Sequence, residues 1–332
     1  MAELQQLFFQ KITVNGTEIP IYNLDSGTYI EGINLEGPLL ILNFYDVDGT
    51  LRDNYGLVDG AVLSVKMGDP NGRGDAYFTT DFVVGHPIVQ GDRLRVEAIE
   101  KQVYALKQPV KTAMFFNGDK IADILAELFA GYKISIASNA TSMKNKLYQH
   151  VTAGSTPAAM LRKVCRDLGA AIWVARGTVY CAPLTMLGNQ EKDYPVLEYQ
   201  GQKTDHPIYA YQAIHVAEAA ARQATKCYIS WDIVNGMQKS TANPDAPPQI
   251  LPQVPLEALN NLHVHVVPCM LADMLGNGSY TAGMTIGVRL NRFSENAVLD
   301  ESMPARQLIT LVSHIGDKKS YKCKVTTGVI QS

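Results

Sequence analysis

The first hundred residues alternate apolar and polar side chains in short runs, each closed by a Gly, Asn, Asp or Pro turn. That period of two constrains the fold more than any other feature. Leu7 to Val14 runs into Asn15-Gly16 and then Thr17 to Tyr22. This is a hairpin signature, because the favoured two-residue turn needs φ > 0 at both central positions. Strand-like runs follow at Leu39–Tyr45, Ala61–Met67, Ala76–Val84 and Arg93–Leu106, separated by turns such as Gly68-Asp69-Pro70-Asn71-Gly72. Six or seven short strands with no convincing helix among them predict a small antiparallel barrel or sandwich.

The pattern then changes. Asn117 can cap a helix whose apolar residues are Ile121, Ile124, Leu125, Leu128 and Phe129, with Gly131 as its stop. Tyr132–Ala137 alternates as a short strand. A second helix starts at Ser155-Thr156-Pro157, presents Leu161, Val164, Cys165 and Leu168, and ends at Gly169. Ala171–Ala175, a tight Arg176-Gly177 turn and Thr178–Ala182 form a hairpin carrying Trp173 and Tyr180. Both helices have one apolar stripe and a polar remainder, which suits packing on a small sheet. From about residue 195 strand-like runs return at Ile208–Val216, Lys226–Ile233, Thr285–Leu290, Gln307–His314 and Tyr321–Val329. The Pro-rich stretch 243–255 reads as an extended surface connection. Ala217–Ala224 fits helix or loop, and 256–284 gives no clear pattern.

The fold class is therefore α+β and mainly β. The expected division is a first barrel at 1–108, an α+β unit at 109–190 and a second barrel at 191–332. The length of 332 residues agrees, at a typical ~100–200 residues per domain. Only 18% of the residues are charged, against roughly 25% in a typical soluble chain, and the net charge is −3. Disorder and a polyanion-binding patch built from surplus charge are excluded. A plain monomer and a subunit covered by neighbours fit equally well. The five cysteines are scattered without Cys-x-x-Cys spacing, as reduced, mostly buried thiols of a cytoplasmically made protein would be. No secretory signal pattern opens the chain and no apolar run reaches membrane-span length.

Three segments carry candidate chemistry. Phe44-Tyr45-Asp46-Val47-Asp48-Gly49-Thr50-Leu51 resembles the first motif of the haloacid-dehalogenase phosphatases, in which Asp46 would be the nucleophile and Asp48 an acid/base, both near Mg²⁺. That chemistry needs a parallel sheet with helical crossovers and a late acidic element. Gly316-Asp317-Lys318-Lys319-Ser320-Tyr321 ends on the wrong residue, so a β-turn is the stronger reading. His263 and His265 would share a strand face as a weak metal pair, with Cys269 the one nearby candidate for a third ligand. Arg73-Gly74-Asp75 is too short to carry meaning. Hydrolase elbows, phosphate-cradling Gly-rich loops and zincin motifs are absent. No catalytic residue and no cofactor is expected.

Residues 107 to 183 resemble the baseplate, or tail-tip, hub proteins of contractile-tailed phages and related injection systems. The marks are Lys107-Gln108-Pro109-Val110-Lys111-Thr112, Phe115-Phe116-Asn117-Gly118 and Ile121-Ala122-Asp123-Ile124-Leu125. Then come Ser155-Thr156-Pro157-Ala158-Ala159-Met160-Leu161, Val164-Cys165-Arg166-Asp167-Leu168-Gly169-Ala170 and the Trp173/Tyr180 hairpin. The order is similar to that of the late-control D proteins and the hub part of type VI spike proteins. Leu311-Val312-Ser313-His314 with Tyr321-Lys322-Cys323-Lys324-Val325 looks like the family's closing strand pair. The resemblance implies two tail-tube-like antiparallel barrels with the α+β unit between them. It also implies a homotrimer whose six barrels adapt a hexameric tail tube to a trimeric central spike. Tape-measure and baseplate-wedge proteins would be further partners, and DNA would pass the lumen without specific binding. Such a protein is a non-enzymatic virion component assembled in the host cytoplasm, with no membrane insertion. The weighed alternatives are the Mg²⁺-dependent phosphatase and a receptor- or carbohydrate-binding tail protein. No exposed aromatic cluster is visible in the sequence to favour the latter.

Overall fold

Asn15 and Gly16 both take positive φ, 47° and 90°, and fold β1 (Phe9–Val14) onto β2 (Thr17–Ile19) as the Asn-Gly pair predicts. They do so in a computed structural model describing residues 8–72, 77–116, 120–137, 150–187, 193–200, 204–214, 226–252, 256–292 and 303–331. The Asn117 cap, the Arg73-Gly74-Asp75 triplet and Ala217–Ala224 lie outside the described residues.

The N-terminal half continues with β3 (Leu24–Gly32), β4 (Leu39–Tyr45), the short α1 (Thr50–Asp53), β5 (Val62–Met67), β6 (Phe78–Gln90) and β7 (Arg93–Glu100). All pairings are antiparallel, in the order β2-β1-β5-β6-β7-β4-β3. Among the described residues no backbone ladder joins the two ends of this set. β3 was not anticipated, since Asp25-Ser26-Gly27-Thr28 lacks an apolar run. Gly27 is needed there because the Phe9 ring lies against it, so close that a Cβ would sit 2.4 Å from Phe9 Cε2. The expected strand Arg93–Leu106 is in fact β7 followed by α2 (Lys101–Leu106). Glu100 ends the strand because its carboxylate accepts the Val103 N–H at 2.8 Å, capping the helix.

α2 turns Val103 and Leu106 into a second core. That core also holds β8 (Met114–Phe115), α3 (Ile121–Leu128), β9 (Lys133–Ile136), β10 (His150–Val151), α4 (Pro157–Leu168), β11 (Ala170–Ala175) and β12 (Thr178–Pro183). Ile124, Leu125, Leu161, Val164, Ile172 and Val179 fill it. α4 follows the sequence reading closely. Thr156 Oγ1 accepts the Ala159 N–H, Pro157 opens the first turn, and Gly169 closes the helix at φ 58°.

The C-terminal half comprises β13 (Val196–Tyr199), β14 (Pro207–Ala213), β15 (Cys227–Asp232), β16 (Gly236–Lys239), β17 (Pro248–Pro252), α5 (Leu256–Asn261), β18 (His265–Leu275), β19 (Thr285–Leu290), β20 (Arg306–Asp317) and β21 (Tyr321–Gln331). Six of these strands close a barrel in the order β19-β13-β14-β18-β21-β20 and back to β19. It is not wholly antiparallel as expected, because β13 runs parallel to both β14 and β19. β20 is shared between the halves. Its first residues pair with β19, a bulge interrupts its β21 register between Ile309 and Leu311, and Leu311–Asp317 then pair with β3. One continuous core consequently joins Phe8, Phe9, Tyr29 and Leu42 to Met270, Ile286, Val312 and Cys323.

β15, β16 and β17 form a separate three-stranded lobe, with α5 covering one face through Leu259. β17 lies inside the Pro-rich stretch 243–255, so part of that extended connection pairs as a strand. Pro248 and Pro252 sit at its two ends, leaving Gln249 to Leu251 to pair with β15.

Candidate functional site

Three parts of the chain meet at one buried polar joint. Arg176 occupies the first turn position of the β11–β12 hairpin at φ 50°, a left-handed conformation unusual for a side chain of that size. That posture aims its guanidinium out of the α+β unit and into the β wall. Nη1 donates to Gly278 O at 2.7 Å and Nη2 to Tyr280 O at 3.0 Å. Nη2 also lies 3.6 Å from the Glu31 carboxylate on β3, an ion pair with both side chains withdrawn from water. The Phe78 ring lies against the guanidinium. Tyr29 donates to the other Glu31 oxygen at 3.0 Å. Burial raises the Glu31 pKa more than Arg176 lowers it.

His314 on β20 sits in the same joint, fully buried and stacked on Phe8. Its Nε2 is 3.2 Å from Tyr280 O, which can only accept, so Nε2 carries the proton. Tyr321 then donates to Nδ1 at 2.7 Å. Burial first, and the neighbouring Arg176 second, lower the His314 pKa to about 3. The Cys323 thiol, 3.4 Å from Nδ1, is pushed by burial up to about 11. A neutral imidazole and a protonated thiol are a packing arrangement with no activated nucleophile. A second clasp lies beside the joint. Gly283, at φ 87°, approaches the Trp173 ring so closely that a Cβ would sit 2.5 Å from Cζ2. Sequence reasoning gave Trp173 and the Arg176-Gly177 turn but missed Glu31, and isolated buried charges leave no motif to find.

Asp46 and Asp48 follow β4, which is antiparallel to both neighbours and not the parallel strand a phosphatase requires. Asp46 Oδ1 accepts the Leu51 N–H at 3.0 Å, and Gly49 takes φ 69° ahead of α1. The carboxylate is occupied in capping a turn. His263 and His265 do not share a strand: His263 lies in the turn after α5, and β18 begins at His265. His263 Nε2 meets Ser240 Oγ at 3.0 Å and its ring packs edge-on to Tyr228. Cys269 is fully buried, with its thiol directed to Val267 O. Among the described residues no three His, Cys, Asp or Glu side chains are grouped to hold a metal ion. No helix among them is long and apolar enough to cross a membrane.

The exposed apolar surface was not legible in the sequence. Register places Trp231, Met237 and Ile250 on the lobe face opposite α5, with Ile233 and Val234 at the β15–β16 turn. Only one of these five is aromatic, so a sugar-binding platform of stacked rings is not what the lobe presents.

No protein-family model and no curated protein matches the sequence. Solved structures do match along the whole chain. A tail protein from Neisseria meningitidis superposes with a TM-score of 0.62 at 10% identity, covering 98% of this chain and 96% of that one. The 43 kDa tail protein of prophage MuSo2 from Shewanella oneidensis gives 0.60 at 12% identity, covering 96% and 97%. An Escherichia coli component of the type VI secretion system, itself described as similar to T4 tail proteins gp27 and gp5, gives 0.55 at 10% identity. It is covered to 77%, and this chain to 97%. The fold of this chain is the one found in phage tail proteins and type VI components.

Proposed function

We propose that the chain is the hub of a phage, or phage-derived, tail baseplate: a non-catalytic subunit that trimerises into a ring between tail tube and central spike. The observation that carries this reading is the whole-chain fold match, end to end in both this chain and the tail proteins. The shared strand β20 supplies the mechanical logic. One chain holds two β units on a continuous core, so three chains present six units to a sixfold tube and three to a threefold spike. The chain divides accordingly into a first β unit at 1–108, an α+β unit at 109–190 and a second β unit at 191–332. A charge-poor surface suits extensive burial against neighbours, since each unpaired desolvated ion is costly. A chain of net charge −3 has no surplus of basic residues with which a lumen could hold passing DNA. The tube and spike proteins would be its direct partners, and the tail of the assembled particle its location.

Electron microscopy of the purified chain tests the reading. Rings with three-fold symmetry and six inner lobes are the expected result; isolated particles of single-chain size would contradict it. Phosphatase activity that disappears in Asp46→Asn would overturn the non-catalytic role.

A further inference from the structure

The lobe is finished on one face only. α5 buries Leu259 against Tyr228 and Leu251, whereas the opposite face holds Trp231 64%, Met237 73% and Ile250 78% exposed. Ile233 and Val234, 94% and 84% exposed, extend that face to the hairpin tip. β15 and β17 run parallel, and parallel strands are ordinarily covered on both faces. An aromatic side chain carries roughly 150–250 Å² and an aliphatic one about 60–120 Å², so these five offer on the order of 400 Å². That is the size of the largest apolar patch on a typical monomer, ~300–600 Å² and often functional, and about half of the ~800 Å² that each partner buries in a stable interface.

The same chain carries a concavity with exposed apolar residues at its border. On the outer wall of the closed barrel, Tyr209 of β14 and Leu275 of β18 border a concavity of about 780 Å³ whose lining joins them and Pro70 to the polar Asn71, Lys319, Ser320 and Lys322. Tyr209 and Leu275 are themselves exposed large apolar residues. A cyclic trimer cannot be built by a patch meeting itself, because self-complementary contacts close two-fold dimers. It needs two different surfaces of one chain that fit each other. An apolar projection and a concavity that offers Tyr209, Leu275 and Pro70 within a polar rim are such a pair.

We propose that the β15–β16 tip of one copy, led by Trp231, Ile233 and Val234, seats in the Tyr209/Leu275 concavity of the next copy around the ring. This contact rests on the trimeric reading above and adds the surfaces that make it. Full-length protein carrying Val234→Cys together with Tyr209→Cys, oxidised mildly, tests it. The native thiols are controlled by the two single variants. Covalent dimers and trimers in the double variant alone are expected, together with at least a tenfold weaker trimer in Ile233→Asp, whose exposed site leaves the fold intact by circular dichroism. A trimer that forms normally in Ile233→Asp and yields no specific cross-link overturns this contact while leaving the trimer standing. A chain that is monomeric at every concentration overturns both.

Discussion

The joint around Arg176 and the lobe around Trp231 use their residues in opposite ways. At the joint the chain buries an ion pair, Glu31 with Arg176, whose members lie 145 residues apart in sequence, and sets the neutral His314 beside it. At the lobe it exposes apolar surface on strands separated by a few turns. Buried charge makes weak glue but fixes a geometry, since any misplacement leaves an ion without a partner. Exposed apolar area has little geometric preference until something covers it. The joint therefore sets how the α+β unit sits on the β wall within a chain, and the lobe is suited to contacts between chains.

The largest expected effect breaks the first half of that contrast. Arg176→Met strands the Glu31 carboxylate in the wall and should cost about 3–5 kcal/mol in urea unfolding. Adding Glu31→Gln should recover most of it, and a loss below about 1 kcal/mol would show that the ion pair does not hold the joint. Leu259→Ala should cost about 2–3 kcal/mol, but locally. Hydrogen exchange should rise in 226–262 and stay unchanged in β20 and β21, whereas a uniform rise would mean that the lobe is part of the global core.

Acid separates the regions next. His314 is neutral in the folded wall, with its pKa lowered to about 3, while the unfolded imidazole takes a proton near ~6.5. In that window the unfolded state binds more protons, so stability falls as pH falls, by at most about 1.4 kcal/mol per pH unit. Glu31, raised above 4.5 by burial, works the other way at the acid end, because the folded state takes that proton first. Urea midpoints between pH 7 and 5 should show the slope, and His314→Gln should flatten it. The smallest effect is Trp231→Ala, expected to change the stability of a dissociated chain by under about 0.5 kcal/mol. A larger loss would mean that Trp231 supports the lobe itself.

The contrast also explains what the sequence made legible. The Asn15-Gly16 hairpin, α3, α4 with its Thr156 cap and Gly169 stop, and β19 are written in local spacing and turn chemistry, so they could be read directly. β3 and β18 were missed because their burial comes from partners on both sides rather than from a clean alternation. His265–Leu275 holds a Pro at 268 beside a register shift, and Gly27 makes room for a ring rather than a turn. α2 was hidden because Glu100-Lys101-Gln102, from the end of β7 to the first apolar residue of the helix, holds no Gly, Pro or Asn to mark the end of the strand. Glu31 and the lobe face are products of tertiary placement. A single exposed Trp or buried Glu looks like any other until register and burial are known. The Asp46 motif was legible but belonged to a turn, as its antiparallel neighbours show.

Trimer formation is read out by the mass of the particle in solution. Light scattering on the purified full chain should give three times the 36.4 kDa of one copy, persisting on dilution to micromolar concentration. A mass of one chain across that range would rule the trimer out.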